Sequence, residues 1–330
     1  MKRFQVIGIG NALVDVIAHT DDAFLDGNGV EKGIMQLIDR TRAVELYGHM
    51  GPAREVSGGS AANTIAGLAA LGARTAYVGK VKDDQLGAIF AHDLRAQGAG
   101  YATPFAAPDH PHETGRCMVL VTEDGERSMS TYLGVSEFLA PDDIDEDEMS
   151  QAEWIFLEGY RYDGPDSIAA FEKAVRATKR AGGKVGITLS DPFCVERHRD
   201  EFLRMIRADV DLLLANEHEL KSLYLTDDLD AAMARAAAEI PITVCTVSAG
   251  GAHVLTGGEH FHAPVRPVEF IDATGAGDLF AAGFFHGMLA GRDWTTCLRM
   301  GNTAAGEVIS HIGARPEADL RALFAAEGLS

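Results

Sequence analysis

The sequence predicts an α/β protein: a mostly parallel central sheet covered by helices on both faces, with a small β-sheet lid. Three observations carry this reading. From Trp154 onward, short apolar strand-like runs alternate with helix-length segments, and crossover helices of that kind return the chain to the same edge of a parallel sheet. Residues 115–133 break the rhythm, reading as two short strands about the turn Glu123-Asp124-Gly125-Glu126, which suits a separate small sheet. Twice, at Gly58-Gly59 and at Gly275-Ala276-Gly277, a glycine turn opens a helix of small residues. Such a turn presents free backbone N–H groups without a side chain in the way.

Composition bounds the answer. A chain of 330 residues that is 46% apolar can bury a large core, and the length suits one domain with an appendage. The expected organisation is a single domain over 1–330, with the lid drawn from segments within about 12–50 and 101–135. A formal net charge of -20 disfavours nucleic acid or an anionic membrane surface as partner. Cys117, Cys194, Cys245 and Cys297 are scattered, which argues against a disulfide framework or a cysteine metal site. The opening MKRFQVIGIGNALVDV is interrupted by Asn11 and Asp15, unlike a signal peptide, and no run reaches the apolar length of a membrane span. The expectation is a soluble, cytoplasmic protein with a small-molecule substrate, as monomer or homodimer.

In chain order, Phe4–Ile9 reads as a buried strand. Gly8-Ile9-Gly10-Asn11 starts like a dinucleotide fingerprint, but Leu13 occupies the third glycine position, so that reading is weak. It leaves Asn11 and Asp15 beyond a strand end, as hydrogen-bonding groups for a hydroxylated ligand or as plain turn residues. Residues 20–55 are mixed, punctuated by Gly27, Gly29 and Gly33. Gly59 then enters a helix ended by Gly72, with Asn63 one turn in, facing whatever sits over the helix mouth. A strand at 75–78 and a helix at 85–97 follow. The acidic run Asp142 to Glu148 behind Pro141 reads as the opening of a helix. Thereafter strands are expected at 154–158, 184–189, 212–215 and 242–247, and helices at 167–181, near 201–207 and at 229–239. A turn at Gly257-Gly258 leads to a last strand running into Val268. Ligands on such sheets lie beyond the C-terminal strand ends, where Asp191, Asn216, Glu219 and Ser248 fall. The pairs His110/His112 and His260/His262 lie beside turns and read as surface residues rather than metal ligands.

The richest stretch is Asp272-Ala273-Thr274-Gly275-Ala276-Gly277-Asp278, followed by an apolar run from Leu279 to Leu289. A carboxylate beside an anion site is costly. It becomes useful when it receives the proton of a hydroxyl attacking a phosphoryl group. The bland alternative is helix capping in an acidic protein.

Together these residues carry a resemblance that covers essentially the whole chain. DATGAGDLFAAGF is similar to the C-terminal signature of the ribokinase-like (PfkB) carbohydrate and nucleoside kinases, GGSAANTIAGLAALG with GKVKDDQLG to their N-terminal signature, and Asn216-Glu217-His218-Glu219 to their N-x-x-E motif. Within the family, GNALVDV, GERSMSTYLG and SDPFCVERHRD are most similar to bacterial adenosine kinase-like proteins.

The resemblance implies a ribokinase-like fold, with a Rossmann-like α/β domain under the lid, and transfer of the ATP γ-phosphoryl to a primary hydroxyl, here the 5′-hydroxyl of adenosine or a related purine nucleoside. It implies Asp278 as general base, with Gly275, Ala276 and Gly277 as the anion hole. Glu219 with Asn216 would organise Mg2+ through water. Asn11, Asp15, Gly59 and Asn63 would grip sugar hydroxyls. Leu13, Met129 and Leu133 are candidate contacts to a base, or lid core. Ser248, Gly250 and Arg127 are candidate nucleotide contacts, Arg127 as a lid arginine reaching the phosphates. Asp272, with the backbone near His311 to Ala314, is a candidate monovalent-cation site, for K+. A sugar or sugar acid as acceptor is the alternative within the class; a non-catalytic nucleotide sensor is the alternative outside it, disfavoured by a base placed beside an anion hole.

Overall fold

The computed structural model describes residues 2–329. Its strands are β1 (Phe4–Ile9), β2 (Leu13–His19), β3 (Met35–Leu37), β4 (Arg54–Gly58), β5 (Thr75–Val78), β6 (Gly100–Tyr101), β7 (Thr114–Val121), β8 (Arg127–Gly134), β9 (Ala152–Glu158), β10 (Lys184–Thr188), β11 (Leu212–Asn216), β12 (Ile242–Thr246), β13 (Ala252–Thr256) and β14 (Glu259–Ala263). Nine of them form one sheet in the order β14-β13-β12-β11-β10-β9-β1-β5-β6. From β12 to β6 every pairing is parallel; at the edge β13 is reversed and pairs antiparallel with both β12 and β14.

Side chains alternate across this sheet, so it feeds two cores. Val6, Trp154, Phe156, Leu214 and Val244 point to one face, against helices Ser60–Ala70, Ala276–Leu289 and Trp294–Val308. Ile7, Ile9, Ile155, Leu157 and Leu213 point to the other, under helices Ser167–Arg180, Pro192–Asp209 and Leu229–Glu239. Burial on both faces explains why these strands read as continuous apolar runs. Helices Ser60–Ala70 and Ala276–Leu289 pack so closely that a Cβ on Gly67 would stand 2.9 Å from the Cβ of Ala282. Their small residues bring the two helix mouths side by side.

The remaining strands form the smaller sheet, in the order β3-β8-β7-β2-β4. One face is covered by helices Asp22–Gly27 and Arg40–His49, through Leu25, Ala43, Leu46, Met118, Leu120 and Tyr132. By the period of two, Leu13, Asp15 and Ile17 on β2, Cys117 and Val119 on β7, and Arg127, Met129 and Leu133 on β8 share the opposite face, turned toward the large sheet.

Several boundaries differ from expectation. The smaller sheet reaches beyond residue 50, through β4 to Gly58, while Gly100–Tyr101 joins the large sheet instead. The helix expected near 201–207 begins at Pro192. Asp191 caps it by accepting the N–H of Phe193 at 2.8 Å, and proline suits its first turn. A further helix, Glu217–Tyr224, follows β11 directly. The last strand ends at Ala263 rather than running into Val268, since Pro264 and Pro267 have no N–H for a ladder. No helix among the described residues is long and apolar enough to cross a membrane.

Candidate active site

Two glycine-led helix mouths meet at the cleft between the sheets. Gly59 has φ +96, and a Cβ there would collide with the carbonyl of Asn11, so only glycine serves. Gly275 has φ +78, and a Cβ would stand 2.8 Å from Cα of Ala314. No side chain caps the helix that Gly275 opens, and Gly277 faces open space. The mouth therefore offers the N–H groups of Gly275 and Gly277 to an anion, while that of Ala276 donates to the Ala273 carbonyl at 3.2 Å.

Asp278, in the first turn of that helix, is half-buried and held from both sides. Ser60 Oγ donates to its Oδ1 at 2.6 Å and Asn63 Nδ2 donates to its Oδ2 at 2.9 Å. Burial raises its pKa, against the two donors and the nearby charge of Arg315. Asp15 on β2 lies close enough for the two carboxylates to repel. Burial lifts Asp15 to about 6, opposed by Arg315 and then by Arg127, with Asp278 adding to the rise. No described side chain or backbone N–H donates to the Asp15 carboxylate, so its oxygens remain available to a ligand.

Arg315 was invisible in the sequence reading. Its guanidinium donates to the carbonyls of Ala62 at 2.8 Å and Ser57 at 3.0 Å, and its charge acts on both Asp15 and Asp278. Glu158, at the end of β9, was also missed. It is 1% exposed, and its oxygens accept the backbone N–H of Ala61 at 2.9 Å and of Asn11 at 3.2 Å. It fills the mouth of helix Ser60–Ala70, and burial lifts its pKa to about 7. Asn11 is fixed further: its Oδ1 accepts from Arg161 at 3.1 Å and its backbone carbonyl from Tyr77 Oη at 2.9 Å. Arg161 is wholly buried, bound also to Ser167 Oγ at 2.5 Å. These partners lie far apart in sequence, so no local signal announces them.

Arg127 and Asp272 were expected in separate roles; the structure pairs them. Arg127 Nη2 lies 2.7 Å from Asp272 Oδ2, and Nη1 donates to Thr274 Oγ1 at 2.8 Å. Asp272 also accepts the backbone N–H groups of Thr274 and Gly313, at 2.9 and 3.0 Å. The smaller sheet is thereby tied to the loop that leads into Gly275. Met129 packs with Val119, Cys117 and Ile312, while Leu13 and Leu133 share its face.

A second group lies further along the same strand ends. Asn216 caps helix Glu217–Tyr224 by accepting the N–H of Glu219 at 2.9 Å. Glu219 reaches back to Asn216 N at 3.0 Å and Nδ2 at 2.7 Å. Burial lifts Glu219 to about 7, with Asp191 adding to the rise. Ser248 and Gly250 form a turn after β12, Ser248 with φ 39. Tyr160 joins the two groups. Burial, followed by Asp191, Glu219, Asp278 and Glu158, raises its pKa.

This arrangement suits proton transfer to a carboxylate beside an anion site. The model of the pfkB family of carbohydrate kinases matches residues 32–320. An ATP-dependent ribose-1-phosphate kinase from Halopiger xanaduensis is 31% identical over 88% of this chain and 93% of its own. A probable sugar kinase from Rhizobium etli superposes with a TM-score of 0.93 at 46% identity, covering 100% of both chains. The adenosine kinase from Sinorhizobium meliloti superposes with a TM-score of 0.91, also at 46% identity, over 99% of this chain and 100% of that one.

Proposed function

The chain belongs to the PfkB family of carbohydrate kinases, and from that premise we propose that it transfers the γ-phosphoryl of ATP to the 5′-hydroxyl of adenosine or a related purine nucleoside. The observation that carries the chemistry is Asp278. It is a carboxylate of raised proton affinity, oriented by Ser60 and Asn63 at an uncapped helix mouth. A free alcohol is a poor nucleophile, so Asp278 would take its proton as the new bond forms. The N–H groups of Gly275 and Gly277 would meet the transferring phosphoryl oxygens.

Asp15, free of protein donors, would accept from the ribose hydroxyls with Asn11, Asn63 and the Gly59 turn. A nucleoside rather than a bare sugar is supported by the apolar face of the smaller sheet, where Leu13, Met129 and Leu133 would cover the base. Likeness to a solved adenosine kinase supports it too.

Glu219 and Asp191 supply hard oxygen donors that suit Mg2+. Both Glu219 oxygens are already engaged by Asn216, which fits a contact through water. When bound, Mg2+ would neutralise charge on the ATP phosphates. Ser248 and Gly250 would line the nucleotide. For Arg127 two proposed partners compete. While its guanidinium sits on Asp272, no monovalent cation such as K+ fills that carboxylate; moving to the phosphates would release it. Closure of the lid by this route would keep water from the phosphoryl group.

The test is phosphorylation of a mixed panel of nucleosides and sugars with ATP, Mg2+ and K+, the products resolved by mass. Adenosine monophosphate is the expected dominant product. Phosphorylation of sugars alone would overturn the acceptor reading and leave Met129 and Leu133 as sheet core. In the same assay Glu219→Gln should raise the Mg2+ needed for half-maximal rate, and an unchanged Mg2+ dependence would make Glu219 a structural cap only.

A further inference from the structure

We infer, on the base and acceptor roles proposed above, that Arg315 is a positioning residue of the site: its guanidinium clasps both sides of the Gly58–Gly59 turn and gives Asp15 and Asp278 a shared counter-charge that occupies neither of them. Arg315 lies in the segment after helix Trp294–Val308. At the end of β4 its Nη2 donates to the Ser57 carbonyl at 3.0 Å and to Ser57 Oγ at 3.1 Å. In helix Ser60–Ala70 its Nη1 donates to the Ala62 carbonyl at 2.8 Å. These two anchors flank the turn on which both acids depend. The Asp15 carboxylate lies so close over Gly58 that a Cβ there would collide with it. Ser60 and Asn63, just beyond the turn, hold Asp278.

What the guanidinium touches sets its use. Among the described residues, every acceptor it binds is neutral. An arginine seated directly on a carboxylate takes up that group's lone pairs and pulls its pKa down strongly. Such a contact would deny Asp15 to a ligand hydroxyl and leave Asp278 too weak a base. Held on carbonyls instead, the charge acts through space and leaves the carboxylate oxygens free. Two carboxylates in one cleft repel each other and an incoming phosphoryl group, and a fixed cation nearby offsets that repulsion.

The surrounding charges agree with that placement. Burial lowers the pKa of Arg315 to about 10, opposed by Asp15, Asp278, Asp93 and Tyr77, so it stays charged at neutral pH. The groups facing it are thus Asp15 from β2, Asp278 from helix Ala276–Leu289, Asp93 from helix Gln85–Ala96 and Tyr77 from β5. Asp93 accepts the Ser57 N–H at 3.0 Å and so steadies the same anchor. Asp15 also faces Arg127 and Cys117, and Asp278 faces Glu158 and Tyr160. Arg315 is the cation that acts on both acids.

The experiment follows the carboxyl carbons of Asp15 and Asp278 by NMR through a pH titration of the full chain, assigned with Asp15→Asn and Asp278→Asn, beside kcat against pH with ATP and adenosine. In Arg315→Gln, and in Arg315→Met as a second neutral variant, both titrations should move to higher pH by about one unit. The acid limb of kcat should follow Asp278, with a loss of about 10-fold on its acid side that closes at high pH. Arg315→Lys should restore most of the shift, because it keeps the charge and loses the fork. Thermal unfolding checks that each variant is folded under the conditions of measurement. Unmoved titrations in a folded neutral variant overturn the inference. A lysine variant that shifts as far as the glutamine one also overturns it, leaving Arg315 a clasp without an electrostatic part. Activity on a sugar but not on adenosine overturns the acceptor reading alone, since the carboxyl titrations need no substrate and still decide the role of Arg315.

Discussion

The helix opened by Gly59 and the helix opened by Gly275 use the same local device and come to opposite uses. Each starts at a glycine in the left-handed region that cannot cap its own helix, and each continues in small residues. The first mouth is filled from within: Glu158 accepts the N–H of Ala61 and is 1% exposed. The second has no side-chain cap and opens to the cleft, with Asp278 in its first turn. A mouth closed by a carboxylate from a distant strand is architecture, because it fixes Asn11 and Ala61. A mouth left open beside a carboxylate is where an external anion can be received.

The largest effect should come from the open mouth. Asp278→Asn preserves shape and the bond geometry around Ser60 but removes the proton acceptor. Turnover should fall roughly 10²- to 10⁴-fold with modest change in ATP or acceptor affinity. Near-normal turnover would falsify the base assignment and reduce the contrast between the mouths to one of exposure.

The filled mouth should respond in stability instead. Glu158→Ala leaves the N–H groups of Ala61 and Asn11 buried without acceptors, at about 1–3 kcal/mol for each, read by denaturant unfolding. Glu158→Gln keeps one acceptor oxygen and should cost less. Its more telling effect is on pH. Because burial raises Glu158 from its ordinary value of 4.5 to about 7, the folded chain holds a proton that the unfolded chain releases near pH 4.5. Its contribution is thus complete below that pH and is lost as pH rises through about 7. Across that window stability should fall by up to about 1.4 kcal/mol per pH unit, and Glu158→Gln should flatten the fall. An identical pH profile for the variant would show that Glu158 is ionised throughout.

The contrast between the mouths also marks where sequence reading stopped. Both glycine turns, Asp278 and Asn63 were legible, because turn chemistry and helix spacing are local. The alternation of strands and helices gave the parallel sheet for the same reason. Glu158, Arg161 and Arg315 were not legible: each is a single charged residue whose partners lie 97, 150 and 253 positions away, at Ala61, Asn11 and Ala62. Arg127 and Asp272 were each singled out, yet their ion pair depends on how the smaller sheet sits on the Gly275 loop.

The smallest predicted effect tests whether the two mouths are coupled. Ser60 belongs to the first turn of the filled helix, yet its hydroxyl serves Asp278 in the open one, 2.6 Å away. That bond favours the ionised carboxylate and opposes the rise that burial imposes. Ser60→Ala removes it, so the proton affinity of Asp278 should increase. The base must be ionised to act, hence the acid limb of kcat should move to higher pH, by about one unit for a hydrogen bond to a charged group. Turnover well above that limb should be nearly restored, since Asn63 still orients the other oxygen. A uniform loss at every pH would instead mean that Ser60 sets geometry, and a limb that stays in place would mean that a group other than Asp278 controls it. Only the shifted limb is expected if the closed mouth holds its helix in register so that the open one can work.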